Sequence, residues 1–319
     1  MKLTLLPCNN EDDYWRMRNF LREVFLLNER REHSWNVARL DYWRWHLILT
    51  CQACDPVEQV TTLWETPHGQ IAAALHPVEW GEFRLHVHPH FRTAALEDEM
   101  LAHAEVHLAR PAADGRRLCY VSAFDEDTLR QEVLAQRGYS KREGIVYHWQ
   151  RDLESPGTGA PISEAPLPPG YTIRSMGALD EHPARSWASW RAFHSDEGDE
   201  NYDGDWSWYQ NVQSAPLYRR DLDVVAAAPD GSIAAFCTIY FDDFTRSAVS
   251  VLVGTAAEHW RRGLGKAVMT EGMRRLQKLG CTRIFANAYD PPANALYGSV
   301  MTTRQVSESW FKALPGTAS

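Results

Sequence analysis

The stretch from residue 249 to 300 constrains the chain more than any other. It opens with an apolar, β-branched run, V-S-V-L-V (249–253), which reads as a buried strand. A charged loop leads to two glycines one residue apart, Gly263 and Gly265. Leu264, Val268, Met269, Met273, Leu276 and Leu279 then recur at the spacing of one buried helix face. Gly280 stands where a left-handed C-cap belongs. A glycine-rich helix start points free N–H groups, and the positive end of the helix dipole, at one spot. Glycines there remove the Cβ atoms that would hold an anion off, and they permit positive φ. Arg261, Arg262 and Lys266 surround the same point with positive charge. The expected ligand is a phosphate or pyrophosphate.

A G-x-G pair alone marks many ordinary turns. The longer dinucleotide fingerprint fails at Val268, and the Walker pattern fails because its first glycine is missing and Ala267 replaces Ser/Thr. What remains is strand, R-R-G-L-G-K (261–266), helix, strand, and A-N-A-L-Y (293–297) opening another helix. That order resembles the GNAT-type N-acetyltransferase superfamily over roughly residues 170–312. The resemblance implies a coenzyme A pyrophosphate on Arg261, Arg262, Gly263, Leu264, Gly265 and Lys266. It implies a pantetheine arm along Val253, Gly254 and Thr255, the end of a splayed fourth strand. Asn287 and Asn294 would add coenzyme contacts, and Tyr297 would be the general acid to the leaving thiolate. The ordinary alternatives are a helix-packing aromatic for Tyr297 and a surface helix residue for Asn294.

Three departures from that pattern stand out. Trp260 occupies the place of a Gln or Arg three residues before Gly263, the glycine–phenylalanine pair after L-Y is absent, and 249–253 carries no carboxylate to serve as base. Water held by Asp242, Asp243 or an acidic segment further upstream would then take the amine's proton.

A chain of 319 residues is long enough for about two domains. Its 44% hydrophobic and 24% charged content suits a globular protein with a full core. The net charge of −9 disfavours nucleic acid and anionic membranes as partners, although acidity also serves plain solubility. Six cysteines make no disulfide scaffold, the start lacks a signal-peptide pattern, and no apolar run is long enough to span a membrane. A cytoplasmic protein is expected. Cys51 and Cys54 form a single C-x-x-C without a second pair at zinc spacing. His86, His88 and His90 alternate, but Pro89 interrupts the strand. Both features read as packing or surface residues, and no metal is expected.

Along the first half, a strand over 2–6, helices over 11–27 and 35–49, and strands over 58–65, 70–76 and 82–88 are expected. A helix over 94–109, a strand over 117–123, a helix over 126–136 and a strand over 143–150 follow. Parts of this order recur. R-L-C-Y-V-S-A-F-D (117–125) matches T-R-I-F-A-N-A-Y-D (282–290), and H-F-R-T-A-A-L (90–96) matches H-W-R-R-G-L-G (259–265). The match reads as an internal duplication of one α/β unit. It sets Ala94 and Leu96 opposite Gly263 and Gly265, so the first copy reads as degenerate: a scaffold, a substrate wall or a surface for a homo-oligomer.

The expected architecture is α/β, with two tandem GNAT-like domains, each a twisted mixed sheet flanked by helices. The first spans 1–152, a Pro/Gly-rich linker 153–170, and the acetyltransferase domain 171–319. In the second domain a helix over 178–193 precedes an acidic, aromatic segment, and strands over 222–228 and 232–240 flank a P-D-G turn. Tyr202, Trp206 and Trp208 in that segment would suit a cationic amine, or simply pack. The resemblance implies transfer of acetyl from acetyl-CoA to a primary amine, small or aminoglycoside-like, by direct attack. The alternative is a non-catalytic acyl-CoA-binding or partner-binding protein that keeps the fold.

Overall fold

Polar caps and periodic apolar faces account for most of the elements. The computed structural model describes residues 2–79, 81–153, 162 and 165–316. The chain divides into two compact units, one of residues 1–147 with 305–319 and one of residues 148–304.

In the first unit β1 (Thr4–Pro7) leads to α1 (Glu11–Leu27), which Asn10 caps by accepting from the Asp13 N–H. Next come α2 (Val37–Tyr42), continued as a π-helical turn over Trp43–Ile48, and α3 (Val57–Val60). The remainder is β2 (Thr62–Glu65), β3 (Ile71–Glu79), β4 (Glu82–Val87), α4 (Ala94–His107), β5 (Arg110–Pro111), β6 (Arg117–Phe124), α5 (Thr128–Gln136) and the first part of β7 (Ser140–Asp152), whose residues from 148 onward belong to the second unit. The strand expected over 58–65 begins only at Thr62. Pro56 sits at the N-cap of a helical turn that buries Val57, so the first half of that run is α3.

Side chains alternate across the sheet of this unit. Ala73 and Leu75 of β3 join Met100, Leu101 and Leu134 in one core cluster, whereas Ala74 joins Tyr14, Met17, Leu40 and Trp43 in the other.

The second unit repeats the pattern: β8 (Thr172–Ser175), α6 (His182–Phe193), α7 (Ser207–Ser214), β9 (Tyr218–Ala227), β10 (Ile233–Asp242), β11 (Ser247–Thr255), α8 (Leu264–Lys278), β12 (Arg283–Ala288) and α9 (Pro291–Gly298). Here β8 to β11 pair antiparallel in sequence order and β11 pairs parallel with β12. In the first unit β1 to β4 are likewise antiparallel in order and β4 pairs parallel with β6. The P-D-G turn joins β9 to β10, with Gly231 at φ 88°.

The last strand, β13 (Thr303–Leu314), pairs with β6 from Ser307↔Phe124 to Leu314↔Arg117. Its Trp310 enters the first unit's core, so residues 305–319 pack with that unit rather than with the stretch from 171 onward. Most of the 153–170 linker lies outside the described residues. Among the described residues no helix is long and apolar enough to cross a membrane, and no group of three His, Cys, Asp or Glu could hold a metal ion.

Candidate functional site

β11 changes character half-way along. Its parallel register with β12 runs Ser247↔Arg283, Ala248↔Ile284 and Val249↔Phe285, then stops, although β11 continues to Thr255. On its other edge a bulge interrupts the pairing with β10: Thr238 faces Leu252 while Ile239 faces Ser250, which leaves Val251 as the extra residue. The strand therefore splays from its parallel neighbour and presents backbone groups along Ser250–Thr255. Gly254 is required at the end of it. A Cβ there would run into the Phe236 ring, with Ala192 of α6 2.9 Å away.

From Thr255 the chain passes a 3₁₀ turn (Ala257–His259) and reaches the glycine loop. Trp260, the departure noted in the sequence, turns its indole back and donates from Nε1 to the Thr255 carbonyl at 2.7 Å. It fixes the loop to the strand end. Arg261 and Gly263 are both left-handed, at φ 60° and 78°. Gly263 is the N-cap of α8, with no side-chain acceptor for the first-turn amides and open space where its Cβ would stand. Gly265 differs, because a Cβ on it would lie 3.3 Å from both Leu296 Cδ2 and Thr255 Oγ1. That contact shows three separate motifs converging: the end of β11, the first turn of α8, and the L-Y pair of α9.

The predicted cofactor residues divide by what they touch. Arg261 and Lys266 are exposed and, among the described residues, have no carboxylate partner. Arg262 instead donates to the Tyr171 hydroxyl at 2.8 Å and to the Glu258 carbonyl at 3.2 Å, and Tyr171 in turn contacts His259 Nδ1 at 2.9 Å. Leu264 is buried in the core. Val253 pairs with Cys237 inside the β10–β11 ladder. Asn294 on α9 accepts from Trp149 Nε1 at 2.8 Å, and Asn287 lies 3.5 Å from the Tyr289 hydroxyl. Tyr297 is buried on α9, next to Leu296.

The aromatic residues expected to meet substrate pack on α6. Tyr202 lies edge-on to Trp187 at 5.1 Å, Trp206 edge-on to His182 at 5.9 Å, and Trp208 donates from Nε1 to Ser186 Oγ at 3.0 Å. Several acids of the segment are engaged locally. Asp199 pairs with Arg191, Glu197 with His194, and Asp205 caps Ser207. Asp242 is engaged at the hairpin turn. It caps the β10–β11 turn through the Thr245 N–H and hydroxyl, and it pairs with Ser247 while Ala235 pairs with Thr255. Those strand ends are roughly 23 Å apart at about 3.3 Å per residue.

The corresponding helix start of the first unit is already satisfied. Counting from the caps, Thr93 stands opposite Gly263, one residue off the match read from sequence, and its hydroxyl accepts from the Leu96 N–H at 3.1 Å. Glu97 is fully buried nearby, taking Arg92 Nε at 2.6 Å and Arg130 Nε at 2.9 Å. Burial works to raise this carboxyl, but the charges of Arg130 and Arg92 outweigh it and hold it below the usual carboxylate range. A hydroxyl of the protein itself thus caps the start of α4, and Glu97 in its first turn is committed to two arginines.

Residues 184–301 match the model of the acetyltransferase (GNAT) family. That stretch is a GNAT domain. No curated protein matches the sequence. Over its whole length the chain is similar in fold to a GCN5-related N-acetyltransferase from Sphaerobacter thermophilus, with a TM-score of 0.64, 17% identity, and coverage of 99% of this chain and 98% of that one. It is also similar to a tandem GNAT protein from the clavulanic acid biosynthesis pathway, with a TM-score of 0.63, 15% identity, and coverage of 99% and 100%. A GNAT-family acetyltransferase from Colwellia psychrerythraea gives a TM-score of 0.60, 10% identity, and coverage of 98% and 100%. The tandem GNAT fold expected from the duplicated motifs is the fold observed, and the GNAT domain carries the splayed β11 and the open start of α8.

Sequence reasoning missed one group inside the GNAT domain. Arg185 and His182, one turn apart on α6, are buried with no hydrogen-bond partner for their side-chain nitrogens, and Asp223 is buried on β9. The available signal was a histidine and an arginine at the buried spacing of an otherwise aromatic helix.

Proposed function

We propose that the GNAT domain transfers an acetyl group from acetyl-CoA to the primary amine of a small molecule by direct attack, without a covalent enzyme intermediate. The convergence of the Thr255 strand end, the Gly265 turn and the Leu296–Tyr297 pair carries this reading. The residues fit a coenzyme A pyrophosphate at the start of α8: first-turn amides without a side-chain cap, open space at Gly263, and the exposed cations Arg261 and Lys266. The edge of Val253–Thr255 turned away from β10, beyond the end of the β12 pairing, suits the amide-bearing pantetheine arm. The bulge at Val251 offers backbone donors to a thioester oxygen.

In the reaction the amine nitrogen attacks the thioester carbonyl carbon and the carbon–sulfur bond breaks. The departing thiolate takes a proton from the Tyr297 phenol, and the amine's surplus proton leaves to water. Trp206, Trp208 and Tyr202 would form the acceptor side, and the first unit would serve as scaffold without a cofactor site of its own.

Calorimetric titration of acetyl-CoA, followed by a primary-amine screen, tests this. One site per chain, weakened at least tenfold by a combined Arg261→Glu and Lys266→Glu substitution, together with turnover of an amine, is the expected result. Binding without turnover of any amine would leave the acyl-CoA-binding alternative, which the absence of a carboxylate on β11 favours. No binding would overturn both.

A further inference from the structure

The face of α6 that looks onto the sheet carries a cation whose donors no protein group accepts. Arg185 is fully buried and His182 is 3% exposed. None of Arg185 Nε, Nη1 and Nη2, and neither ring nitrogen of His182, has a hydrogen-bond partner among the described residues. The guanidinium lies 3.5 Å from the centre of the Phe236 ring, with the Tyr209 ring at 5.0 Å and the Trp208 ring at 5.9 Å. Aromatic faces stabilise the charge but leave the directions of the N–H groups unanswered.

A carboxylate is near and is held otherwise. Asp223 accepts from Thr238 Oγ1 at 2.9 Å, from the Tyr218 hydroxyl at 3.0 Å, and from the Tyr209 hydroxyl. Three hydroxyls hold Asp223, and among the described residues no carboxylate pairs with Arg185, so its planar fork of donors stays free. A fork of this kind matches a carboxylate in two parallel hydrogen bonds.

The position of this group ties it to the transferase site. The Phe236 ring under Arg185 is the ring that fills the space over Gly254 of β11, and Ala192 of the same α6 touches that glycine position too. The cover over His182 and Arg185 is the segment 205–209. Ser186 Oγ holds it by donating to the Asp205 carbonyl at 2.7 Å and accepting from Trp208 Nε1 at 3.0 Å, and the buried Tyr209 hydroxyl anchors its far end on Asp223. Lifting that segment uncovers the guanidinium beside the strand end.

We infer that the acceptor amine also bears a carboxylate, received by Arg185 with His182 beside it, so that the substrate belongs to the amino-acid class. The inference rests on the transferase reading above and narrows it. A polycationic aminoglycoside would meet Arg185 as a like charge.

The test uses matched pairs that differ only in the carboxylate: tyrosine and tyramine, tryptophan and tryptamine, lysine and cadaverine. Turnover with acetyl-CoA, and calorimetric binding in the presence of coenzyme A, are measured on the full chain. The expected result is that at least one amino acid exceeds its decarboxylated partner in kcat/KM by about 100-fold, the scale of a charge-assisted bidentate pair. In Arg185→Gln that ratio should fall towards one, mostly through KM, with Arg185→Lys restoring part of it. The pairs measured on the unmodified protein keep the test valid if the variants fold poorly. Equal turnover of amino acids and amines would overturn this inference and leave the transferase reading standing. If no member of any pair turns over, amino-acid binding without amine binding still supports carboxylate recognition while the transferase reading falls. Absence of both overturns the two together.

Discussion

Glu97 allows the sharpest test of how the first unit differs from the second. Its carboxylate is fully buried between Arg92 and Arg130, and Arg92 also holds Asp127 through two contacts of 2.7 Å. In Glu97→Gln the side chain keeps its size and loses its charge. Arg92 retains Asp127, whereas Arg130, itself 7% exposed, loses the carboxylate that both its Nε and Nη2 address. Breaking a buried pair from one side typically costs about 3–5 kcal/mol. With Asp127 still close, the lower end, about 3 kcal/mol, is expected, or roughly 6–12 °C in Tm for a unit of this size. Urea denaturation and thermal unfolding measure it. The charge-free pair Glu97→Met with Arg130→Met should recover most of the loss, since no unpaired ion then remains.

The pH dependence has a definite sign. A folded-state carboxyl held below its unfolded value stabilises above the unfolded pKa, and that contribution is lost as pH falls through the folded one. The wild type should therefore lose stability below about pH 4.5 more steeply than Glu97→Gln. A cost under about 1 kcal/mol, or a double variant less stable than the sum of the singles, would refute the view that Glu97 is the internal counter-ion of Arg92 and Arg130.

Three further outcomes follow from the GNAT domain. Tyr297→Phe should lower kcat by about 100-fold or more while acetyl-CoA affinity stays within twofold, because a general acid acts on the departing thiolate and not on the bound ground state; equal losses in both would make Tyr297 a packing residue. Trp260→Phe removes the hydrogen bond to the Thr255 carbonyl and should weaken acetyl-CoA binding several-fold in calorimetry with little change in Tm, since the indole is 47% exposed. Asp242→Asn should lower Tm through the turn it caps, at about 1 kcal/mol, and leave the pH profile of kcat unmoved.

Local features of the sequence were legible where one residue decides the backbone. Gly263 and Gly280 are left-handed where expected, at φ 78° and 72°, and the apolar steps from Leu264 to Leu276 are the buried face of α8. The helix 11–27 runs from its Asn10 cap to Leu27. What sequence could not show depends on partners distant in the chain. Trp310 enters the first unit's core on β13, which pairs with β6, and nothing local in the sequence announces that pairing. Asn294, expected at a coenzyme contact or on a helix surface, accepts a hydrogen bond from Trp149. Arg262 belonged by pattern to the anion cradle and is turned to Tyr171. Asp242 read as a holder of water, and its engagement by Thr245 appears only with the hairpin turn. Arg185 went unnoticed because a long cationic side chain on a helix is ordinarily solvated, and only the packing of Phe236, Tyr209 and Trp208 around it makes it a buried charge.

The same register explains why the departures from the family pattern weigh less on binding than they first did. The parallel pairing of β11 with β12 ends at Val249↔Phe285, and the bulge on the opposite edge falls at Val251, two residues on. Both defects free main-chain groups, and they do so on the segment that leads directly to Thr255 and the glycine turn. A thioester arm carrying its own amides can pair with such an edge without any particular side chain. The strand then needs no carboxylate to hold it, and position 260 needs only to keep the loop against the strand end, which the Trp260 indole does. Chemistry is the more demanding requirement, because proton removal from the amine must come from outside β11. On the proposed reading the acceptor side lies at α6 and α7, where Tyr209 adjoins Arg185, His182 and Asp223, and substitutions there should change which amine is used before they change whether acetyl-CoA binds.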